Sequence, residues 1–236
     1  VAELLNELGV RGATVAGHSM GGFVATSLAE QASELVDRVV LIGSPSEREQ
    51  SSLPFTARLA TTPVIGEAIW RLKPDSMVKS ASGEAFAPGL SAEEAFPDNP
   101  DQVVEDLDDM TYTSFTEARE AANDYVDEGS PASRLSAIGV PVLAIVGAED
   151  QVLDVEEVIA GFRPVPGARI EEMDGVGHSP NVENPEATAE LILPFAAEGE
   201  EFTPPPSPTD PRPNPKPTPK GSGMAPERER GGGGGR

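Results

Sequence analysis

Gly17-His18-Ser19-Met20-Gly21-Gly22 decides the reading of this chain because of what stands on either side of it. Ahead of it, Ala13-Thr14-Val15-Ala16-Gly17 has the length of a short buried strand. After it, Phe23 to about Leu35 has helical spacing, with Val24, Leu28 and Ala32 on one face. Gly-x-Ser-x-Gly between a strand and a helix predicts a sharp turn that exposes the serine hydroxyl. Such a turn strains the serine, so its neighbours must lack side chains that would collide. The N-terminus of the following helix favours developing negative charge at that spot. Ser19 is therefore the candidate nucleophile, and the backbone N–H of Met20 a candidate oxyanion donor.

A serine nucleophile needs a base, and the chain has 2 histidines. His18 adjoins Ser19 on the same turn, where neighbouring side chains diverge, so it is a poor proton acceptor. His178 remains, in the loop Gly175-Val176-Gly177-His178-Ser179-Pro180 after the strand-like run Ala168–Met173. Open parallel sheets place their ligands at the carboxyl ends of strands. The base in turn needs an orienting carboxylate. Gly147-Ala148-Glu149-Asp150-Gln151 follows another apolar run, and Asp150 is the choice from chain order, Ser before Asp before His. Glu149, Asp154 and Glu47 are its rivals; Asp154 reads better as a helix cap.

The rest of the chain follows a βα rhythm with one interruption. Val1–Leu8 is spaced as a helix, with Gly9 as its cap. Val39–Gly43 and Val140–Val146 are continuous apolar runs of buried-strand length. From Pro45 to about Arg134 no strand-like run occurs, and Ala57–Ala60, Ile65–Leu72, Pro100–Met110 and Ser114–Val126 read as helices. Val155–Phe162 and Asn184–Ala197 are the later helices, the second with Pro185 in its first turn.

Charge bounds the partners. The chain has 17 basic and 40 acidic residues, net −23. From Thr203 onward the balance reverses, so the preceding body is more acidic still. Such a body repels phosphate backbones and anionic membrane surfaces, which excludes nucleic acid as a partner. Lys73 and Lys79 are its only lysines, a depletion compatible with a high-salt habitat or with GC-rich coding. The chain has 0 cysteines, which removes disulfides and thiolate chemistry. No apolar run reaches spanning length and no dinucleotide fingerprint occurs. Residues 204–219 are Pro-rich and 231–235 all glycine, a composition that cannot offset its ordering entropy by burial.

Gly17–Gly22, Gly147–Asp150 and Gly175–Ser179 together resemble the α/β-hydrolase superfamily, most nearly its capped esterase, lipase and C–C hydrolase members. The resemblance covers about residues 1–198. It implies an α/β fold with strands 5–8 of the family's parallel sheet. Residues 1–46 and 135–198 would be two core segments, 47–134 an α-helical cap, and 199–236 a disordered tail. It also implies hydrolysis of a carboxylic ester by two-step acyl transfer through Ser19, His178 and Asp150, without a cofactor or metal. Leu53, Phe55, Leu59, Ile65, Ile69, Trp70, Met77, Phe86, Met110 and Phe115 would line a hydrophobic acyl pocket or form the cap's own core. Serine at the elbow, where haloalkane dehalogenases and most epoxide hydrolases carry aspartate, argues against both.

The family normally has four strands before the elbow strand, and this sequence offers only a helix there. The expectation is a fragment, cytoplasmic, lacking the loop that supplies the second oxyanion donor; losing one such donor costs on the order of 10²–10³ in kcat. The elbow strand would then be an exposed edge. The alternatives are a slow-turnover ligand-binding homologue, a truncated inactive remnant and, among enzymes, a C–C bond hydrolase or perhydrolase. Oligomeric state is not legible.

Overall fold

Val142–Gly147 is apolar throughout and buried at every position, as an inner strand of a parallel sheet covered on both faces must be. The computed structural model describes residues 1–47 and 65–198. It makes this segment the third strand of a four-stranded sheet in the order β1-β2-β3-β4, with all neighbours parallel. The strands are β1 Ala13–His18, β2 Val36–Ile42, β3 Val142–Gly147 and β4 Arg169–Met173. All four expected strands are present. β2 begins earlier than its apolar run because Val36 and Arg38 pair with Ala13 and Thr14 across an irregular step.

Helices α1 (Ala2–Glu7) and α2 (Gly21–Gln31) flank β1 in sequence. Between β2 and β3 come α3 (Ile65–Leu72), α4 (Asp75–Ser82), α5 (Ala92–Ala95), α6 (Gln102–Asp108), α7 (Tyr112–Glu128) and α8 (Pro131–Ile138). After β3 lie α9 (Val155–Phe162), α10 (Pro180–Glu183) and α11 (Pro185–Ala197). Asp154 caps α9, its side chain accepting the Glu157 N–H at 3.0 Å. Among the described residues no helix is long and apolar enough to cross a membrane.

The two-residue period of the strands divides the core between the sheet's faces. Val39, Leu41, Val142, Ala144 and Val146 join Leu28 of α2, Leu135 of α8 and Phe162 of α9 in one cluster. Val40, Ile42, Leu143 and Ile145 join Phe195 of α11 in the other. Leu35, Leu135 and Phe162 are 0% exposed, and each such side chain contributes about 1.5–3 kcal/mol by leaving water. At β1 the cover thins. It pairs with β2 alone among the described residues, and Ala13–Ala16 are half-buried or exposed.

Four short helices, α4, α5, α8 and α10, go beyond those expected from the sequence. The boundary expected between residues 134 and 135 falls inside α8, whose Leu135 packs on the sheet. Residues 1–200 form one compact unit. The expected tail, the helix at Ala57–Ala60, and Leu53, Phe55 and Leu59 lie outside the described residues.

Candidate active site

In a parallel sheet every strand's carboxyl end lies on the same rim. Ser19 directly follows β1, Asp150 follows β3 and His178 follows β4. Ser19 sits at φ +52°, and among the described residues it is the one non-glycine with positive φ. Left-handed backbone is costly for a side chain, so the surroundings must hold it there. A Cβ on Gly17 would lie 2.1 Å from the Gly21 carbonyl oxygen, so the strand can meet the helix closely only with glycine at 17. The Ser19 N–H donates to the Ile42 carbonyl at 2.8 Å, extending the β1–β2 ladder one step into the turn. The Ser44 hydroxyl donates to the Ser19 carbonyl at 2.6 Å. Ser44 is 2% exposed, and nothing in the sequence reading pointed to this tie.

His178 Nε2 is 2.9 Å from Ser19 Oγ, and its Nδ1 is 2.8 Å from Asp150 Oδ2. A carboxylate only accepts, so Nδ1 carries the proton and Nε2 faces the hydroxyl as an acceptor. Asp150 is itself fixed: its Oδ1 accepts the N–H of Val152 at 2.7 Å and of Leu153 at 2.9 Å. The side chains of His178 and Asp150 are 6% and 0% exposed. Water therefore competes little for either bond.

The other expected residues fall into place as follows. His18 Nε2 donates to the backbone carbonyl of His178 at 2.9 Å, not to Ser19. Burial pushes the His18 pKa below its ordinary value of 6.5, against the opposing pull of that hydrogen bond. His18 is thus a neutral donor that holds the backbone of His178, a contact the sequence reading missed. Met20 is the N-cap residue of α2, where the first amides of a helix have no intrahelical acceptor. Among the rivals to Asp150, Asp154 is spent on its cap, and the imidazole meets Asp150 rather than Glu149 or Glu47.

A cavity of about 550 Å³ opens beside Met20, walled by Phe23, Val24, Leu28, Ala122 and Tyr125 among others. Of the expected pocket-lining set, Ile69, Trp70, Met77, Phe86, Met110 and Phe115 do not line this cavity. Trp70 packs on Tyr112 and Phe115, with ring centres 6.0 and 4.9 Å apart, and Phe86 meets Phe96 edge-on at 6.1 Å. These aromatics pack on one another within the helical segment, and α7's small face, with Ala118, Ala121 and Ala122, borders the cavity. Among the described residues no group of three or more His, Cys, Asp or Glu side chains is placed to hold a metal.

Comparison with known proteins follows this geometry. A family described as "Alpha/beta hydrolase family" matches residues 1–191. An uncharacterized protein of Mycobacterium tuberculosis is 27% identical over 202 residues, 82% of this chain and 58% of the relative. The 2-hydroxymuconate semialdehyde hydrolase of Pseudomonas putida is 26% identical over 208 residues, covering 84% of this chain and 66% of that protein. The chain thus spans somewhat under two thirds of the length of these relatives. Among solved structures, an esterase from Exiguobacterium antarcticum superposes with a TM-score of 0.62 at 19% identity, over 82% of this chain and 70% of that one.

Proposed function

This chain belongs to the alpha/beta hydrolase family, and from that premise we propose that it hydrolyses a carboxylic ester through an acyl-Ser19 intermediate. The observation that carries the proposal is the unbroken line from Asp150 through His178 to Ser19, with links of 2.8 and 2.9 Å. Ser19 Oγ attacks the ester carbonyl carbon as His178 Nε2 takes its proton. The carbonyl oxygen becomes an oxyanion facing the Met20 N–H and the N-terminus of α2. Asp150 stabilises the imidazolium, which then gives its proton to the leaving alkoxide as the C–O bond breaks. His178 next deprotonates a water that attacks the acyl carbon, freeing the acid and restoring Ser19. The substrate class proposed is an ester with a hydrophobic acyl or alcohol part.

The test is hydrolysis of p-nitrophenyl esters of rising chain length by the wild-type chain and by Ser19→Ala. The variant should lose on the order of 10³-fold or more in kcat/KM. Equal rates in the two proteins would remove Ser19 from the mechanism. A second reading, hydrolysis of a C–C bond, is favoured by the Pseudomonas relative, whose name gives 2-hydroxymuconate semialdehyde as its substrate. Dienone turnover that depends on Ser19, with esters left intact, would select it.

A further inference from the structure

Glu183 stands outside the line of proton transfer, yet its carboxylate gathers the backbone amides on both sides of the base. Both of its oxygens lie 3.0 Å from the Gly177 N–H, and Oε1 also accepts from the Ser179 N–H at 3.1 Å. His178 lies between those two residues. Oε2 reaches further and accepts the Ala87 N–H at 2.8 Å, a residue from the helical segment between β2 and β3. The same peptide is held at its other end: Gln151, next to Asp150, donates from Nε2 to the Phe86 carbonyl at 2.9 Å.

We propose that Glu183 is a positioning residue that ties the Phe86–Ala87 peptide to the His178 loop, so that seating this peptide and aligning the imidazole are one event. The contact is close as well as polar. A Cβ on Gly177 would fall 2.3 Å from both the Ala87 nitrogen and the Phe86 carbonyl carbon, so the peptide lies directly on the loop's backbone. Phe86 and Ala87 are 3% and 8% exposed, which keeps water from replacing these bonds. Hydrogen bonds to a carboxylate are among the strong ones. Here one carboxylate holds the Val176–Gly177 and His178–Ser179 peptide groups, and so limits the direction in which the ring between them leaves the chain. Gln151 makes the same connection on the acid's side. Phe86–Ala87 is thus a strap across the loops that carry Asp150 and His178. The role rests on His178 serving as the base in the proposed hydrolysis.

The experiment uses the full 236-residue chain and the variant Glu183→Gln, whose amide NH2 must face a backbone N–H where the carboxylate accepted it. Three measurements are compared with wild type: hydrogen exchange at the Ala87 amide, the low-field Nδ1–H proton signal of His178, and kcat and KM on a p-nitrophenyl ester. Exchange at Ala87 should quicken by about tenfold or more, the scale of one lost charge-assisted bond. The Nδ1–H signal should broaden or vanish while circular dichroism stays native. Displacements of about 1 Å at a catalytic group cost on the order of 10²-fold, so kcat should fall by that order with KM little changed. Gln151→Leu, which leaves Glu183 intact and frees the strap's other end, should show the same pattern more weakly; it decides alone where Glu183→Gln does not fold. Faster exchange at Ala87 with an unchanged Nδ1–H signal and unchanged kcat, in either variant, overturns the coupling. The proton signal is read without substrate. A wild type inert toward esters would therefore sink the ester reading and leave this test in force.

Discussion

Asp150→Asn tests the site most sharply, because the structure dictates which way the new amide must face. In the wild type Oδ1 accepts two backbone amides, Val152 at 2.7 Å and Leu153 at 2.9 Å, while Oδ2 takes the His178 Nδ1–H at 2.8 Å. Asparagine keeps one oxygen. If that oxygen stays with the two backbone amides, the NH2 group points at Nδ1. Nδ1 must then become an acceptor, and the ring's proton moves to Nε2, where it blocks removal of the Ser19 proton. The flipped amide would keep the productive tautomer but turn NH2 against two N–H groups beside a side chain that is 0% exposed. Leaving a buried donor unsatisfied costs about 1–3 kcal/mol, so the productive state lies about 2–6 kcal/mol uphill. At 1.36 kcal/mol per factor of ten, kcat/KM should fall between roughly 30-fold and 3 × 10⁴-fold. Ester hydrolysis measures that fall. Two-dimensional ¹⁵N NMR of the imidazole should show the proton moved from Nδ1 to Nε2. A variant within threefold of wild type, or one that keeps the Nδ1–H tautomer, would refute the assigned geometry.

Two further substitutions probe groups whose environment is unusual. His18→Phe removes the donor to the His178 carbonyl, and kcat/KM should fall about tenfold, the worth of one net hydrogen bond; a rate within twofold of wild type would show that this bond positions nothing. Because burial depresses the His18 pKa, the unfolded chain takes up that proton first. The stability this residue contributes is therefore present above pH 6.5 and lost on acidification, and melting curves for His18→Phe should lack that portion of the loss. The Tyr125 hydroxyl is buried and finds no hydrogen-bond partner among the described residues; burial raises its pKa from 10.0 to about 12. Its raised pKa places the associated stability below pH 10 and removes it as pH climbs through about 12. Tyr125→Phe should raise stability at neutral pH by about 1 kcal/mol and flatten the alkaline decline; a lowered melting temperature would count against the unpartnered hydroxyl.

What the sequence disclosed and what it hid divide along a physical line. Ser19 was legible because a left-handed serine between strand and helix needs glycine within two residues, a constraint written locally. His178 was found across a separation of 159 residues, but by elimination: the chain has 2 histidines and the other shares the serine's turn. Asp150 followed from chain order, and its Oδ2 lies 2.8 Å from the His178 Nδ1. Ser44, His18 in its donor role, Gln151 and Glu183 were hidden. Each acts on a backbone carbonyl or amide of a distant segment, and a backbone group leaves no mark on the residue types around it. The cavity wall was hidden for a related reason. Large apolar residues signal burial without naming a partner, and Trp70, Phe86 and Phe115 bury against neighbouring aromatics.

How four strands align three loops to hydrogen-bond accuracy has an answer in the ladder itself. β1, β2 and β3 are each followed by a residue that makes one more strand-to-strand bond beyond the sheet: Ser19 N–H to Ile42 at 2.8 Å, Gly43 N–H to Ile145 at 2.9 Å, and Ala148 N–H to Met173 at 2.9 Å. These three bonds link β1 to β2, β2 to β3 and β3 to β4 in series, at the level where the turns leave the sheet. Position is therefore passed from the Ser19 turn to the His178 loop through backbone that cannot rotate freely. The circuit closes above the sheet. His178 gives its carbonyl to His18 and its ring nitrogen to Ser19, so two adjacent residues of the elbow grip one residue of the distant loop from two directions. A strained serine backbone persists only where its surroundings over-determine it. Here the ladder bond at its amide, the Ser44 hydroxyl at its carbonyl and the imidazole at its hydroxyl do so from three sides.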